Sequence, residues 1–192
     1  MVDGAAVFLS TPSHFGSAPG NVAHAVNLGD GSIRWNVDLG GGQGFHVAGP
    51  IASAGGVHLP GAGAIITVDP ATGAVLWRRE SSPAPALAAV GARLWVVELN
   101  RLVFLDPANG SELSASASNP QFFGPSVLTA APEAPTVVAA DQKHGAGLDR
   151  RRASTRWSLN WPATLFDVPL VSQRLLVVTT SDRAVTAYEL PK

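Results

Sequence analysis

One segment of this chain comes back again and again, and it limits what the chain can become. Residues 67–77 read Thr67-Val68-Asp69-Pro70-Ala71-Thr72-Gly73-Ala74-Val75-Leu76-Trp77. An apolar strand runs into an acid, then a turn with Gly, then a strand carrying Trp. The same order returns from Asn27 to Trp35, from Asp106 to Ser114 and from Asp149 to Trp157, always with eight positions from the Asp or Asn to the Trp or its replacement Ser114. The anchors Asn27, Asp69, Asp106 and Asp149 lie 42, 37 and 43 residues apart, and Glu189 supplies a fifth 40 further on. A period near 40, with several short strands per period, is the mark of a β-propeller blade.

The strand signals agree with that period. Val57 to Leu59, Leu94 to Val97, Thr136 to Ala139 and Leu175 to Thr179 are β-rich runs, each 12 to 14 positions before its anchor. Upstream of each, Pro50, Pro85, Pro125 or Pro169 opens another short apolar run. Each unit therefore reads as strand A around the Pro, strand B, strand C ending at the acid, a turn, and strand D with the Trp. No stretch of ten or more residues carries a 3.6 period, so almost no helix is expected.

The turn chemistry is physically specific. In Asp69-Pro70-Ala71-Thr72-Gly73 the Asp bonds following backbone N–H groups, the Pro presets φ and the Gly takes a positive φ. Asp106-Pro107-Ala108-Asn109-Gly110 repeats it. A sheet cannot bury its face alone, and a large ring at a fixed place in strand D can wedge between neighbouring blades. The residues expected to dock blades are Gly31, Trp35, Asp69, Gly73, Trp77, Asp106, Gly110, Asp149 and Trp157.

Composition narrows the function classes. Lys plus Arg is 13 and Asp plus Glu is 14 in 192 residues, a net charge of −1. No large field of one sign exists for nucleic acid, and the run Arg150-Arg151-Arg152 reads as a solvated turn. There is no cysteine, which excludes disulfides, thiolate metal sites and Cys nucleophiles. Met1-Val2-Asp3-Gly4 shows no basic region leading into an apolar stretch, so no signal peptide is expected. No apolar run reaches membrane-span length. Heavy use of Ala, Gly, Val and Pro with little Lys resembles proteins of high-GC bacteria.

The pattern Leu/Val-Asp-Pro-Ala-Thr/Asn-Gly-x-x-x-Trp, after two short strands, resembles the PQQ-like repeat of quinoprotein alcohol dehydrogenases and BamB-like assembly lipoproteins. It covers nearly the whole chain. The unit from Pro50 to Glu80 is close to consensus, whereas Asn27 replaces Asp, Ser114 replaces Trp and Ala153 replaces Gly. The resemblance implies an all-β propeller of four-stranded antiparallel blades, about four to five of them, with Trp docking between blades. The expected blades are approximately 1–42, 43–83, 84–120, 121–162 and 163–192, in one repeat region over 1–192. Family members are usually exported, and many bind no quinone.

The first unit begins at strand B (Ala5 to Ser10), and the last stops after strand C. Three strands, then four, four, four and three are expected, which leaves open edges. The chain is therefore expected to be part of a larger ring, or one completed by self-association.

In a propeller the B–C and D–A connections share one face. There they gather His14, Phe15, Gln43, Phe45, His46, Phe122, Phe123, Asn160 and Trp161. These aromatic and amide groups form a candidate binding surface for a protein, a peptide or a planar ligand. The competing and preferred reading makes the aromatics blade packing. The histidines show no metal-ligand spacing, the acids are isolated, and no nucleophile elbow or phosphate loop occurs. No catalytic residue and no metal site is expected. The leading functional expectation is a non-catalytic binding or scaffold module without cofactor. The alternatives are a fragment of a quinoprotein dehydrogenase, which would need PQQ and Ca²⁺, and a sensor domain of a larger protein.

Overall fold

The computed structural model describes residues 4–10, 21–40, 49–61, 63–82, 86–98, 101–116, 127–130, 136–165, 168–172 and 174–190. Among them every regular element is a strand. The first sheet holds β1 (Ala5–Ser10), β2 (Val22–Asn27) and β3 (Ile33–Asp38). The second holds β4 (Ile51–Ser53), β5 (Gly56–Pro60), β6 (Ala64–Val68) and β7 (Val75–Glu80). The third holds β8 (Ala86–Val90), β9 (Arg93–Glu98), β10 (Arg101–Leu105) and β11 (Glu112–Ala115). The fourth holds β12 (Val127–Thr129), β13 (Thr136–Ala140), β14 (His144–Asp149) and β15 (Thr155–Asn160). The fifth holds β16 (Leu170–Val171), β17 (Leu175–Thr179) and β18 (Val185–Glu189).

Within each sheet the strands follow chain order and all neighbours are antiparallel. The described sheets carry three, four, four, four and three strands, as the repeat spacing predicts. Strands B and C of the second, third and fourth sheets are almost wholly buried, whereas the outer strands β7, β11 and β15 are largely exposed. Near-continuous apolar runs such as Ala64-Ile65-Ile66-Thr67-Val68 therefore read as strands covered on both faces.

The C–D turns repeat one geometry four times. The N–H of each anchor donates to the carbonyl five residues on: Asn27 to Ser32, Asp69 to Ala74, Asp106 to Ser111 and Asp149 to Ser154. The anchor carbonyl accepts from the residue four on, which is Gly31, Gly73, Gly110 or Ala153. That residue has positive φ in every case: 72°, 73°, 73° and 56°. In each hairpin the register slips by one just before the anchor. The extra residue is a β-bulge that bends the strand into the turn.

The chain forms two compact units. One comprises Met1–Pro85 with the turn Asp106–Ser111, and the other Ala86–Leu105 with Glu112–Lys192. The core of the first lies between its two sheets and contains Ala23, Ala25, Trp35, Val57, Leu59, Ile66 and Val68. The core of the second lies between the third and fourth sheets and contains Trp95, Leu102, Phe104, Val137, Ala139, Ala146 and Leu148. There Trp95 meets Phe104 edge to face, with ring centroids 4.9 Å apart, a geometry favoured by the ring quadrupoles.

Candidate interaction site

Two indole sockets define the end of the blades where the C–D turns lie. Trp35 sits in β3, and its Nε1–H donates to the Pro70 carbonyl at 3.0 Å. Trp77 sits in β7, and its Nε1–H donates to the Pro107 carbonyl at 2.9 Å. Beneath each ring lies a turn glycine. A Cβ on Gly73 would come within 2.7 Å of the Trp35 ring, and one on Gly110 within 2.7 Å of the Trp77 ring. The glycine thus serves twice, through its positive φ and through the missing Cβ that lets the indole lie flat on backbone.

The anchors hold these turns rigid. Asp69 Oδ1 accepts from the N–H groups of Ala71 and Thr72 at 3.0 and 2.8 Å and from the Thr72 hydroxyl at 2.8 Å. The Thr72 bonds in particular hold its carboxyl below the usual range. Asp106 Oδ1 accepts from Ala108 N–H at 2.8 Å. Asp149 Oδ1 accepts from Arg151 and Arg152 N–H, and these bonds lower its pKa, the Arg152 bond most. Asn27 works differently: its Nδ2 donates to Ser32 Oγ and its Oδ1 accepts from Arg34 Nε. The other sequence-predicted docking residues divide. Gly31 is exposed, with no described atom within 4 Å of its missing Cβ. Trp157 lies half-buried against Gly147 of the neighbouring strand, and its Nε1 is buried without a hydrogen-bond partner among the described residues.

The second sheet also buries a histidine. His58 is fully enclosed, with Nε2 2.7 Å from Ser53 Oγ and Nδ1 2.7 Å from Thr67 Oγ1. A neutral imidazole donates at one nitrogen and accepts at the other, and two hydroxyls suit both roles. Burial pushes its pKa down to about 4. The Trp77 ring lies 5.7 Å away, so the imidazole fixes core packing behind the docking indole.

At the opposite ends of the strands, the B–C and D–A connections of the second unit are fastened together. Trp161 N–H donates to the Lys143 carbonyl and its Nε1–H to the Asp141 carbonyl at 3.3 Å. Leu165 N–H donates to Gln142, and Ser181 N–H to Thr164. Buried Asp141 accepts from the N–H groups of Lys143 and His144 at 2.7 Å, and the His144 ring reaches the same carboxylate. Trp161 is itself buried, packed on Gly145 and 6.0 Å from the Tyr188 ring. Asn160 is exposed beside it. Of the other candidate surface residues, His14, Phe15, Gln43, Phe45, His46, Phe122 and Phe123 lie outside the described residues. The fastened link 161–165 was invisible in the sequence, because backbone carbonyls carry no residue signature.

Among the described residues no three His, Asp or Glu side chains converge as a metal site, and no helix is long and apolar enough to cross a membrane.

Comparison with known proteins follows the same geometry. The family described as outer membrane protein assembly factor BamB matches residues 18–103 and 98–191. The chain belongs to the BamB-like, PQQ-like repeat family. BamB from Moraxella catarrhalis is similar in structure, with a TM-score of 0.61 and 19% identity over 93% of this chain and 56% of that one. The computationally designed Ika8 protein gives 0.62 and 18% identity over 95% and 57%. A chain of a mitotic checkpoint complex gives 0.69 at 9% identity over 88% and 55%. The chain thus spans a little over half the length of each of these three. At such identities the likeness establishes the β-propeller fold, which the BamB-like family shares. No curated protein sequence matches the chain.

Proposed function

We propose that this chain is a non-catalytic binding module that presents its B–C and D–A connections to a protein or peptide partner. The observation that carries the reading is the fastening of the link 161–165 onto the connections at 142–143 and 180–181. A loop cluster held by backbone hydrogen bonds offers a preorganised surface, which lowers the entropy lost on binding. Membership of a family described as an assembly factor supports a protein as the partner class. The exposed Asn160 and half-exposed His144 border the cluster, and Phe122 and Phe123 are proposed to extend it.

The test is affinity capture by the wild-type chain and by Asn160→Arg, with circular dichroism confirming that both fold. A partner retained by wild type and lost with the variant supports the reading. Equal capture by both contradicts it. Micromolar binding in an absorbance titration with PQQ and Ca²⁺ would favour the quinoprotein alternative instead.

A further inference from the structure

The four C–D turns form an internal comparison, because one backbone is built from four different sequences. The three residues after the anchor are Leu28-Gly29-Asp30, Pro70-Ala71-Thr72, Pro107-Ala108-Asn109 and Arg150-Arg151-Arg152. All four turns share the same pair of backbone hydrogen bonds and the same positive φ four residues after the anchor. In the first three, the last residue of the trio works within its own turn. Asp30 accepts from the Ser32 N–H and hydroxyl, the Thr72 hydroxyl donates to Asp69, and Asn109 Oδ1 accepts from the Ser111 N–H. In the fourth, the Arg152 backbone N–H donates to Asp149 Oδ1, but its side chain makes no hydrogen bond among the described residues. The turn backbone therefore asks for no arginine at any of the three positions.

The arginines work against the fold rather than for it. Four arginines and one aspartate lie between residues 149 and 156, a local charge of +3 in a chain of net charge −1. Adjacent like charges repel one another in the folded turn. The single carboxylate, Asp149, is already committed to the Arg151 and Arg152 N–H groups. Arg151 and Arg152 are exposed, and neither guanidinium forms an ion pair among the described residues. Ala153 holds the turn from below, buried in the core of the second unit. Two guanidinium groups therefore stand outward on a hairpin tip whose backbone is fixed.

We infer that this turn is a docking point for a carboxylate-rich segment of a partner protein, with Arg151 and Arg152 forking its carboxylates and Arg150 and Arg156 strengthening the positive field around them. The planar guanidinium presents paired donors that match a carboxylate. Charge complementarity selects an anionic partner, and the size of the cluster selects its class. Binding to an anionic membrane surface draws on about four to eight Lys or Arg at about 1 kcal/mol each, more than two outward side chains supply. A nucleic-acid surface needs a stripe or broad patch of basic charge, and this cluster spans one turn. A short acidic segment needs only a few close, charge-assisted contacts. The turn stands at the opposite ends of the strands from the B–C and D–A connections, so this surface is separate from the one proposed above.

Fluorescence anisotropy of a labelled octaglutamate peptide, titrated with the full chain at about 20 mM and about 200 mM salt, tests the assignment. Wild type is expected to bind saturably, and more weakly at the higher salt. Arg151→Ala with Arg152→Thr copies the Ala71-Thr72 pair of the second turn. This variant should bind about tenfold more weakly while melting no lower than wild type. Arg78→Ser with Arg79→Ser removes the same charge from β7 and should leave binding within about twofold. Wild type that binds no peptide overturns the inference, as does an equal loss in both double variants. So does an Arg151 and Arg152 variant that melts several degrees lower, since the arginines would then serve the turn itself. Retention of wild type by phosphatidylserine vesicles, lost in the variant and without peptide binding, would assign the turn to membranes instead.

Discussion

Trp35 and Gly73 are fitted to each other: the indole donates to the Pro70 carbonyl and lies where any Cβ on Gly73 would stand, at 2.7 Å. Trp77 and Gly110 repeat the arrangement. The strand-D ring and the glycine of the following turn are thus one feature divided between two repeats.

Gly73→Ala is expected to destabilise the protein by about 3 kcal/mol. Roughly 1 kcal/mol comes from positive φ and the rest from displacing the ring. Gly31→Ala provides the control, since its Cβ meets no described atom, and should cost only about 1 kcal/mol. Urea denaturation of the two variants checks the difference.

Ser114 and Ala153 carry the same rule in reverse. By the repeat spacing, Ser114 stands where Trp35 and Trp77 stand, and the turn of the fourth sheet has Ala153 where the others have glycine. Ala153 is buried, in the core of the second unit. Ser114→Trp alone should destabilise, because Ala153 carries a methyl where Gly73 and Gly110 leave room for the ring. Ser114→Trp with Ala153→Gly should recover stability, with a favourable coupling of about 1–2 kcal/mol in a double-mutant cycle.

Trp77→Phe removes the donor to Pro107 while keeping a ring on Gly110. The lost hydrogen bond and the smaller buried surface together should cost about 2 kcal/mol. Thermal melting followed by circular dichroism measures it, and a shift of several degrees is expected.

His58 makes stability depend on pH. Its folded pKa is about 4, whereas an unfolded histidine titrates near about 6.5. Between those values the unfolded chain binds more protons, so stability rises with pH. The contribution is complete above about pH 6.5 and is lost as pH falls toward 4. Wild type should be about 2–3 kcal/mol less stable at pH 4.5 than at pH 7. His58→Leu should flatten that dependence, at the cost of leaving the Ser53 and Thr67 hydroxyls without the imidazole.

Much of the fold was legible because the turns announce themselves. Asp69, Pro70 and Gly73 each have a mechanical role at a fixed offset, and the buried strands around them are too apolar to be anything else. That Ser114 and Ala153 stand at the positions of Trp77 and Gly110 in successive repeats carries no visible meaning in the sequence; it gains one only from the indole lying on the glycine. The socket acceptors were hidden as well, since Pro70 and Pro107 contribute carbonyls that any residue owns. At the candidate surface, Trp161 could be read as exposed binder or as packing. Its burial depends on the carbonyls of Asp141 and Lys143 and on Tyr188, none of which its neighbours in sequence reveal.

The central claim is that each docking indole and the next turn's glycine are energetically one unit. A double-mutant cycle of Trp35→Leu and Gly73→Ala, measured by equilibrium urea denaturation, tests it most directly. The account predicts that Gly73→Ala loses most of its cost once the indole is gone, giving a coupling of at least about 1.5 kcal/mol. Strictly additive effects would contradict it.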